Sequence, residues 1–111
     1  MKKFLTLFAL AMLTTSLSKV RATVYLPTGN NTATGIVPYE GIIASNAEHL
    51  GKSAFLYTEN MELIGLFECQ DTGGHKGLKD GTRIDVFRSS QGSYREWVRN
   101  YGDYVYIQWM E

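Results

Sequence analysis

Two aspartates, Asp71 and Asp85, are the residues best suited to acid–base chemistry in this chain. Asp71 follows the apolar run 63–67 and opens the segment Asp-Thr-Gly-Gly, while Asp85 lies within the apolar run 84–87. Two strands joined by a glycine-rich connection would bring both carboxyl groups to one rim of a small β-structure. Neighbouring carboxyl groups can differ in proton affinity, so that one acts as a general acid. The alternative is structural, with Asp71 starting a turn and Asp85 exposed on a strand.

The elements that would position these aspartates are mostly short strands. Apolar and β-branched runs bounded by turn residues predict six of them, at 23–26, 41–44, 54–57, 63–70, 84–87 and 104–109. The connection 73–81 is rich in Gly and Lys, and we expect it to be a flexible loop. With no internal repeat or linker, the 111 residues allow one domain. A small mainly β barrel is favoured, because closure removes exposed strand edges.

One helix is predicted, and it follows the fifth strand. Apolar or aromatic residues recur at helical spacing, at Tyr94, Trp97, Val98 and Tyr101. Ser90 or Ser93 can cap its start, and Ser93 with Glu96 has the spacing of a capping box. Gly102 can end it in a left-handed conformation.

The N-terminal segment is typical of a secretory signal peptide. Lys2 and Lys3 precede the apolar stretch 4–13, and small or β-branched residues stand near Ala22. We therefore expect a signal peptide at 1–22, a folded domain at 23–111, and export to the cell envelope or beyond. The apolar stretch is short for a membrane span. No Cys follows it to carry a lipid anchor.

Charge and cysteine content narrow the function classes. The whole chain carries 11 basic and 11 acidic residues, and loss of 1–22 would remove four basic residues, leaving 7 against 11. An acidic domain argues against nucleic acid as a partner. The single Cys69 cannot form an intrachain disulfide and is expected to be a buried structural thiol. His49 and His75 are too far apart in sequence for a metal-site motif, so neither a metal nor a cofactor is expected.

Four short motifs stand in order along the chain, namely Thr-Ala-Thr-Gly at 32–35, Gly-Ile-Ile-Ala at 41–44, Asp-Thr-Gly-Gly at 71–74 and Arg-Ile-Asp-Val-Phe at 83–87. Together they resemble the three-aspartate domain, a family similar to the catalytic domain of MltA-type lytic transglycosylases and to RlpA-like proteins. The pairing of the last two motifs is the most specific part, and the resemblance covers essentially all of 23–111. The resemblance implies a double-psi β-barrel, preceded here by the signal peptide, and bacterial peptidoglycan glycan strands as the substrate. We expect a monomer.

The resemblance also implies roles for individual residues. It makes Asp85 the acid of a lytic transglycosylase, which cleaves a MurNAc–GlcNAc bond to a 1,6-anhydro product, and places Asp71 in support. Burial between Ile84 and Val86 is expected to keep Asp85 protonated. Substrate contacts are assigned to five further residues, namely Asn46, Thr72, Gly73, Gly74 and Tyr25. Asn46 stands where the family has its first aspartate, and the 71–85 loop carries an extra Lys-Asp-Gly.

Two other functions remain open at this point. A non-catalytic glycan-binding module would use the same fold and groove without acid chemistry. A dimeric aspartic protease would also carry Asp-Thr-Gly, but a second Gly and a Lys-rich loop follow the motif here.

Overall fold

The fold is a closed, mainly β barrel, seen in a computed structural model that describes residues 17–110. The six strands are β1 (Ser18–Tyr25), β2 (Ile42–Ser45), β3 (Ser53–Tyr57), β4 (Leu63–Thr72), β5 (Arg83–Phe87) and β6 (Tyr104–Trp109). Two helices, α1 (Lys76–Asp80) and α2 (Gln91–Tyr101), and a 3-10 turn (Ala47–His49) complete it. The prediction of a six-stranded barrel with one substantial helix is confirmed.

The strands close in the order β1-β5-β2-β4-β3-β6. Two neighbouring pairs, β1 with β5 and β2 with β4, are parallel, and the other four pairings are antiparallel. Parallel neighbours cannot be joined by a tight hairpin, so the chain crosses the barrel to make them. These crossings bring Asp71 on β4 and Asp85 on β5 to the two sides of β2.

Strand β1 starts five residues before its predicted start. Its sequence alternates between outward residues such as Lys19 and Arg21 and the core residues Val20 and Ala22, which are only 3% and 5% exposed. The basic outward residues look like the end of a signal peptide in sequence, although in the barrel they are one face of a strand. The predicted cleavage after Ala22 falls inside β1. Residues 1–16 of the predicted signal peptide lie outside the described residues.

The helix predicted at 94–101 is α2. Ser90 rather than Ser93 is its N-cap, since the Ser90 hydroxyl accepts the backbone N–H of Ser93. Gly102 ends the helix with φ +69° and ψ −147°, a positive φ outside the left-handed helical region that was expected. Trp97 is buried against Phe67 and Tyr101, whereas Val98 is largely exposed. The apolar stripe is therefore narrower than the sequence pattern indicates.

The prediction of a flexible loop over 73–81 is wrong for its second half, which forms α1. The His75 ring nitrogen Nδ1 accepts the backbone N–H of Gly77, and Gly81 closes the helix with φ +82°. Leu78 is 2% exposed, and its burial anchors the helix, which packs on β5 and β2. Tertiary packing thus stabilises a helix too short to form by itself.

The barrel interior is filled by one apolar cluster. It consists of Val20, Ala22, Ile43, Ala54, Leu56, Phe67, Cys69, Ile84, Val86, Trp97, Val105 and Ile107. Cys69 is fully buried, as predicted, and burial raises the pKa of its thiol to about 11. At neutral pH it is a neutral packing group rather than a nucleophile. Within residues 17–110, no helix has both the length and the apolar character needed to cross a membrane.

Candidate functional site

Asp71 and Asp85 flank the same residue of the barrel wall. Ala44 on β2 is in register with Asp71 on parallel β4 and with Asp85 on antiparallel β5. The two aspartates thus lie on the strands either side of β2, with a small side chain between them. The register therefore places both aspartates beside Ala44.

Tyr25 contacts Asp71. Its hydroxyl lies 3.4 Å from Asp71 Oδ2, a long hydrogen-bond distance. Burial, and then the negative charges of Asp71 and Asp85, raise the pKa of Tyr25 well above its ordinary value. The phenol therefore stays protonated at physiological pH and remains a donor to Asp71. Its ring packs edge-on against Phe87, with centroids 5.3 Å apart.

Asp71 organises the loop that crosses above it. Its Oδ1 accepts the backbone N–H of Ala33 at 3.0 Å and that of Thr72 at 2.9 Å. Thr34, in the same loop, donates to the Gln70 side-chain oxygen at 2.7 Å. Both contacts hold the loop against the end of β4.

Asp85 is paired rather than enclosed by apolar groups. Arg83 Nε lies 2.8 Å from Asp85 Oδ1, and the Thr23 hydroxyl also contacts that oxygen. The expectation that apolar groups enclose Asp85 is therefore wrong in this structure. Strand alternation turns Ile84 and Val86 into the core and leaves Asp85 on the outer side with Arg83.

A cleft of about 600 Å³ lies at the ends of β2 and β4. Its lining residues are Asn46, Ala47, Glu48, Thr72, Gly73, Lys79 and Asp80. Three of the predicted substrate contacts, Asn46, Thr72 and Gly73, therefore meet in one cleft. Gly74, Tyr25, Asp71 and Asp85 are not among the lining residues, although Thr72 and Gly73 directly follow Asp71 in the chain.

Asn46 has a local structural role. Its Oδ1 accepts the His49 backbone N–H at 3.2 Å and caps the 3-10 turn. Asn and Asp cap helical turns about equally well. Asn46 therefore caps the turn without placing a negative charge in the cleft.

The two glycines after Thr72 differ in what surrounds them. A Cβ on Gly73 would lie 2.6 Å from Leu78 Cδ1, whereas a Cβ on Gly74 would meet no atom within 4 Å. The fold itself requires the small residue at Gly73, because α1 packs directly against it. Gly74 has no such internal requirement.

The structure adds residues that the sequence reading did not select. Arg83 and Thr23 hold Asp85, and Glu48, Lys79 and Asp80 join the cleft. Arg83 could have been found, because positions i and i+2 of a strand share a face. Thr23 could not have been, since its approach depends on the parallel register of β1 and β5.

Both histidines have structural contacts. His49 stacks on Trp109 with centroids 3.8 Å apart, its Nδ1 lies 3.2 Å from the Ser45 hydroxyl, and burial lowers its pKa. His75 caps α1. In the part of the chain that the structure describes, no three metal-ligating side chains are grouped to hold a metal ion.

A second cleft, of about 690 Å³, lies below the 27–40 loop. It is lined mainly by that loop, together with Phe87 and Ser89. None of the predicted site residues belongs to it. The first cleft, which holds three of the predicted substrate contacts, is therefore the candidate binding cleft.

Comparisons with known proteins assign neither a family nor a function to this chain. No family model matches it, and no match is found among curated proteins. The basis for a function is the geometry described above together with the motif resemblance.

Proposed function

We propose that this protein is exported and remodels peptidoglycan, binding a glycan strand in the cleft beside Asp71 and cleaving it as a lytic transglycosylase. The observation that carries the proposal is the convergence of Asn46, Thr72 and Gly73, from separate segments, on one cleft, where Thr72 and Gly73 directly follow Asp71 in the chain. Polar side chains and a close backbone approach suit a carbohydrate, whose hydroxyl groups need directional partners.

The proposed reaction uses one carboxyl group twice. Protonated Asp85 gives its proton to the glycosidic oxygen as the bond from C1 to that oxygen breaks. The 6-hydroxyl of the muramic acid residue attacks C1, and its proton passes to the Asp85 carboxylate. The products are a 1,6-anhydro sugar and a free 4-hydroxyl, with no water consumed. The Asp71 carboxylate would stabilise positive charge that develops on the sugar ring.

This reaction requires a change at Asp85. Arg83 Nε donates to Asp85 Oδ1 at 2.8 Å, so in the proposed reaction substrate entry displaces Arg83 and leaves Asp85 as the acid. Arg83 lies on the outer side of β5 and is 24% exposed, which leaves room for its side chain to swing away. We propose this displacement as the step that activates the acid.

A second candidate function is glycan binding without cleavage. The specific observation in its favour is the same ion pair, because an Asp85 that stays bonded to Arg83 cannot donate a proton. In that case the cleft would attach the protein to the cell wall, and the hydrogen bonds of Asp71 and Asp85 would only stabilise the fold.

One experiment separates the two candidates. The purified protein is incubated with isolated peptidoglycan, and soluble products are analysed by mass spectrometry, in parallel with Asp85→Asn and with Asp103→Asn as the matched control. Asp103 lies in the exposed turn before β6. Anhydro-muropeptides that disappear only with Asp85→Asn support the lytic reaction.

The other outcomes are equally decisive. Co-sedimentation with peptidoglycan without soluble products supports the binding module. If the protein releases no soluble products and does not co-sediment with peptidoglycan, peptidoglycan is refuted as the ligand. Full activity of a correctly folded Asp85→Asn variant would refute Asp85 as the acid.

A further inference from the structure

Helix α1 builds one wall of the cleft from the part of the chain that departs from the resembled family. The extra Lys-Asp-Gly falls at 79–81, and Lys79 and Asp80 form the end of α1. The caps at His75 and Gly81 and the buried Leu78 fix this helix on the barrel. Lys79 and Asp80 are therefore held across the cleft from Asn46 and Glu48.

Among the charges on the cleft wall, Lys79 is the only basic residue. Within residues 17–110, no ion pair joins its ammonium group to an acidic side chain. Asp80 is occupied differently: its Oδ1 accepts the Thr82 hydroxyl at 2.6 Å and the Thr82 backbone N–H at 2.9 Å. Those hydrogen bonds lower the pKa of Asp80, so it stays ionised and turned into its own loop.

We infer that the cleft takes a glycan that carries a carboxylate, and that Lys79 binds that carboxylate. This inference rests on the proposed function, of which it names the specificity. An ammonium group on a polar wall provides up to three donors for an anion, while Asn46 and Thr72 supply neutral polar groups for sugar hydroxyls. Glu48, on the same cleft, disfavours an anion placed away from Lys79.

In peptidoglycan this carboxylate has two sources. One is the lactyl group of a muramic acid residue that has lost its peptide. The other is the terminal carboxylate of a peptide stem. Both present a planar anion of the same chemistry to Lys79, and the ligands used in the test distinguish them.

The test compares Lys79→Gln with Lys76→Gln in the full protein. Both lysines are exposed on α1 three residues apart, but only Lys79 lines the cleft. Binding is measured by calorimetry with three ligands: a neutral N-acetylglucosamine oligomer, glycan strands stripped of peptide, and strands that keep their peptide stems. Thermal melts verify that each variant is folded.

We expect Lys79→Gln to weaken binding of a carboxylate-bearing ligand by about five- to tenfold, the effect of one partly exposed charge-assisted hydrogen bond. Lys76→Gln should bind every ligand as the unchanged protein does, and the neutral oligomer should not discriminate among the three proteins. If Lys79→Gln binds the peptide-free strands more weakly, the lactyl group is the source of the carboxylate. If it binds only the strands with intact peptide stems more weakly, the peptide terminus is the source.

The inference and the proposed function fail in different ways. If the unchanged protein binds the glycans and Lys79→Gln binds them equally well, the role of Lys79 is refuted while the proposed function stands. Equally weakened binding by Lys79→Gln and Lys76→Gln also refutes this role, because the effect would then come from the net charge of the protein and not from the position of Lys79. If no ligand binds to the unchanged protein, both are refuted.

Discussion

At the scale of single residues, the ion pair between Arg83 and Asp85 is the contact most directly connected to function. Both side chains are partly buried, at 24% and 16% exposed, and the bond is 2.8 Å long. A partly buried charge-assisted hydrogen bond contributes more than a surface ion pair, because without Arg83 the carboxylate would keep only the Thr23 hydroxyl as a partner.

We predict that Arg83→Gln lowers the free energy of unfolding by about 1–2 kcal/mol. The matched control is Arg95→Gln on the exposed face of α2, which should change it by no more than about 0.5 kcal/mol. Urea denaturation at pH 7 measures both. Equal stabilities for the two variants would show that the ion pair contributes nothing to the folded state.

Glu40 is a second residue whose contacts predict a measurable effect. Hydrogen bonds from the Ser93 hydroxyl, the Ser89 backbone N–H and the Ser89 hydroxyl lower the pKa of Glu40 to about 2. Arg88 lies 3.5 Å away. These contacts attach the end of the 27–40 loop to the start of α2.

The lowered pKa makes this attachment dependent on pH. Since the folded protein favours ionised Glu40, the stabilisation is complete above its unfolded-state pKa of about 4.5 and is lost as the pH falls towards 2. Glu40→Gln should therefore be less stable than the unchanged protein at pH 6, with the difference shrinking towards pH 2. Denaturation at several pH values tests this. Glu62→Gln, in an exposed turn, is the control, and a difference that is constant with pH would contradict the prediction.

At the scale of elements, α1 and the strand end at Thr72 depend on each other. The helix covers Gly73 so closely that a methyl group there would overlap the buried Leu78. The same helix carries the cleft residues Lys79 and Asp80. A change at Gly73 should therefore affect both stability and the shape of the cleft.

The neighbouring glycines allow a matched comparison. Gly73→Ala should lower the free energy of unfolding by about 1–2 kcal/mol through overpacking. Gly74→Ala meets open space and should be neutral or raise it by up to about 1 kcal/mol through a less flexible unfolded chain. Neither glycine has a positive φ, so backbone strain does not confuse the comparison. Thermal or chemical denaturation measures both, and an equally stable Gly73→Ala would show that Leu78 moves aside freely.

At the scale of the whole molecule, barrel closure depends on the first half of β1. Ser18, Lys19, Val20 and Arg21 make every registered pairing between β1 and β6. With these residues counted in the domain, residues 17–111 contain 9 basic and 11 acidic side chains. The folded domain is thus less acidic than a domain that begins at Thr23.

We predict that a protein beginning at Leu17 folds cooperatively and that one beginning at Thr23 does not. The shorter protein would lose Val20 and Ala22 from the core. It would also leave the edge of β6 that pairs with β1 without a partner strand. Circular dichroism melts and amide hydrogen exchange of β6 measure the difference. Equal melting temperatures would contradict the prediction and make cleavage after Ala22 compatible with the fold.

The sequence by itself determined the features that depend on local pattern. Apolar and β-branched runs identified all six strands, although β1 starts five residues earlier than its run, and the spacing of Trp97 and Tyr101 identified α2. Cys69, the only cysteine, was expected to be a buried structural thiol, and it is fully buried. These predictions succeed because apolar runs and helical spacing report which residues of an element face apolar partners, wherever those partners come from.

Tertiary structure alone decided the features that depend on segments distant in the chain. Helix α1 forms because Leu78 finds a buried place, and Lys19 and Arg21 lie in a strand because β6 pairs with them. The state of Asp85 was predicted from its neighbours in sequence, yet the second contact to its carboxylate comes from Thr23, 62 residues away. Register between strands brings such groups together, and it is determined by closure of the whole barrel rather than by any local run of residues.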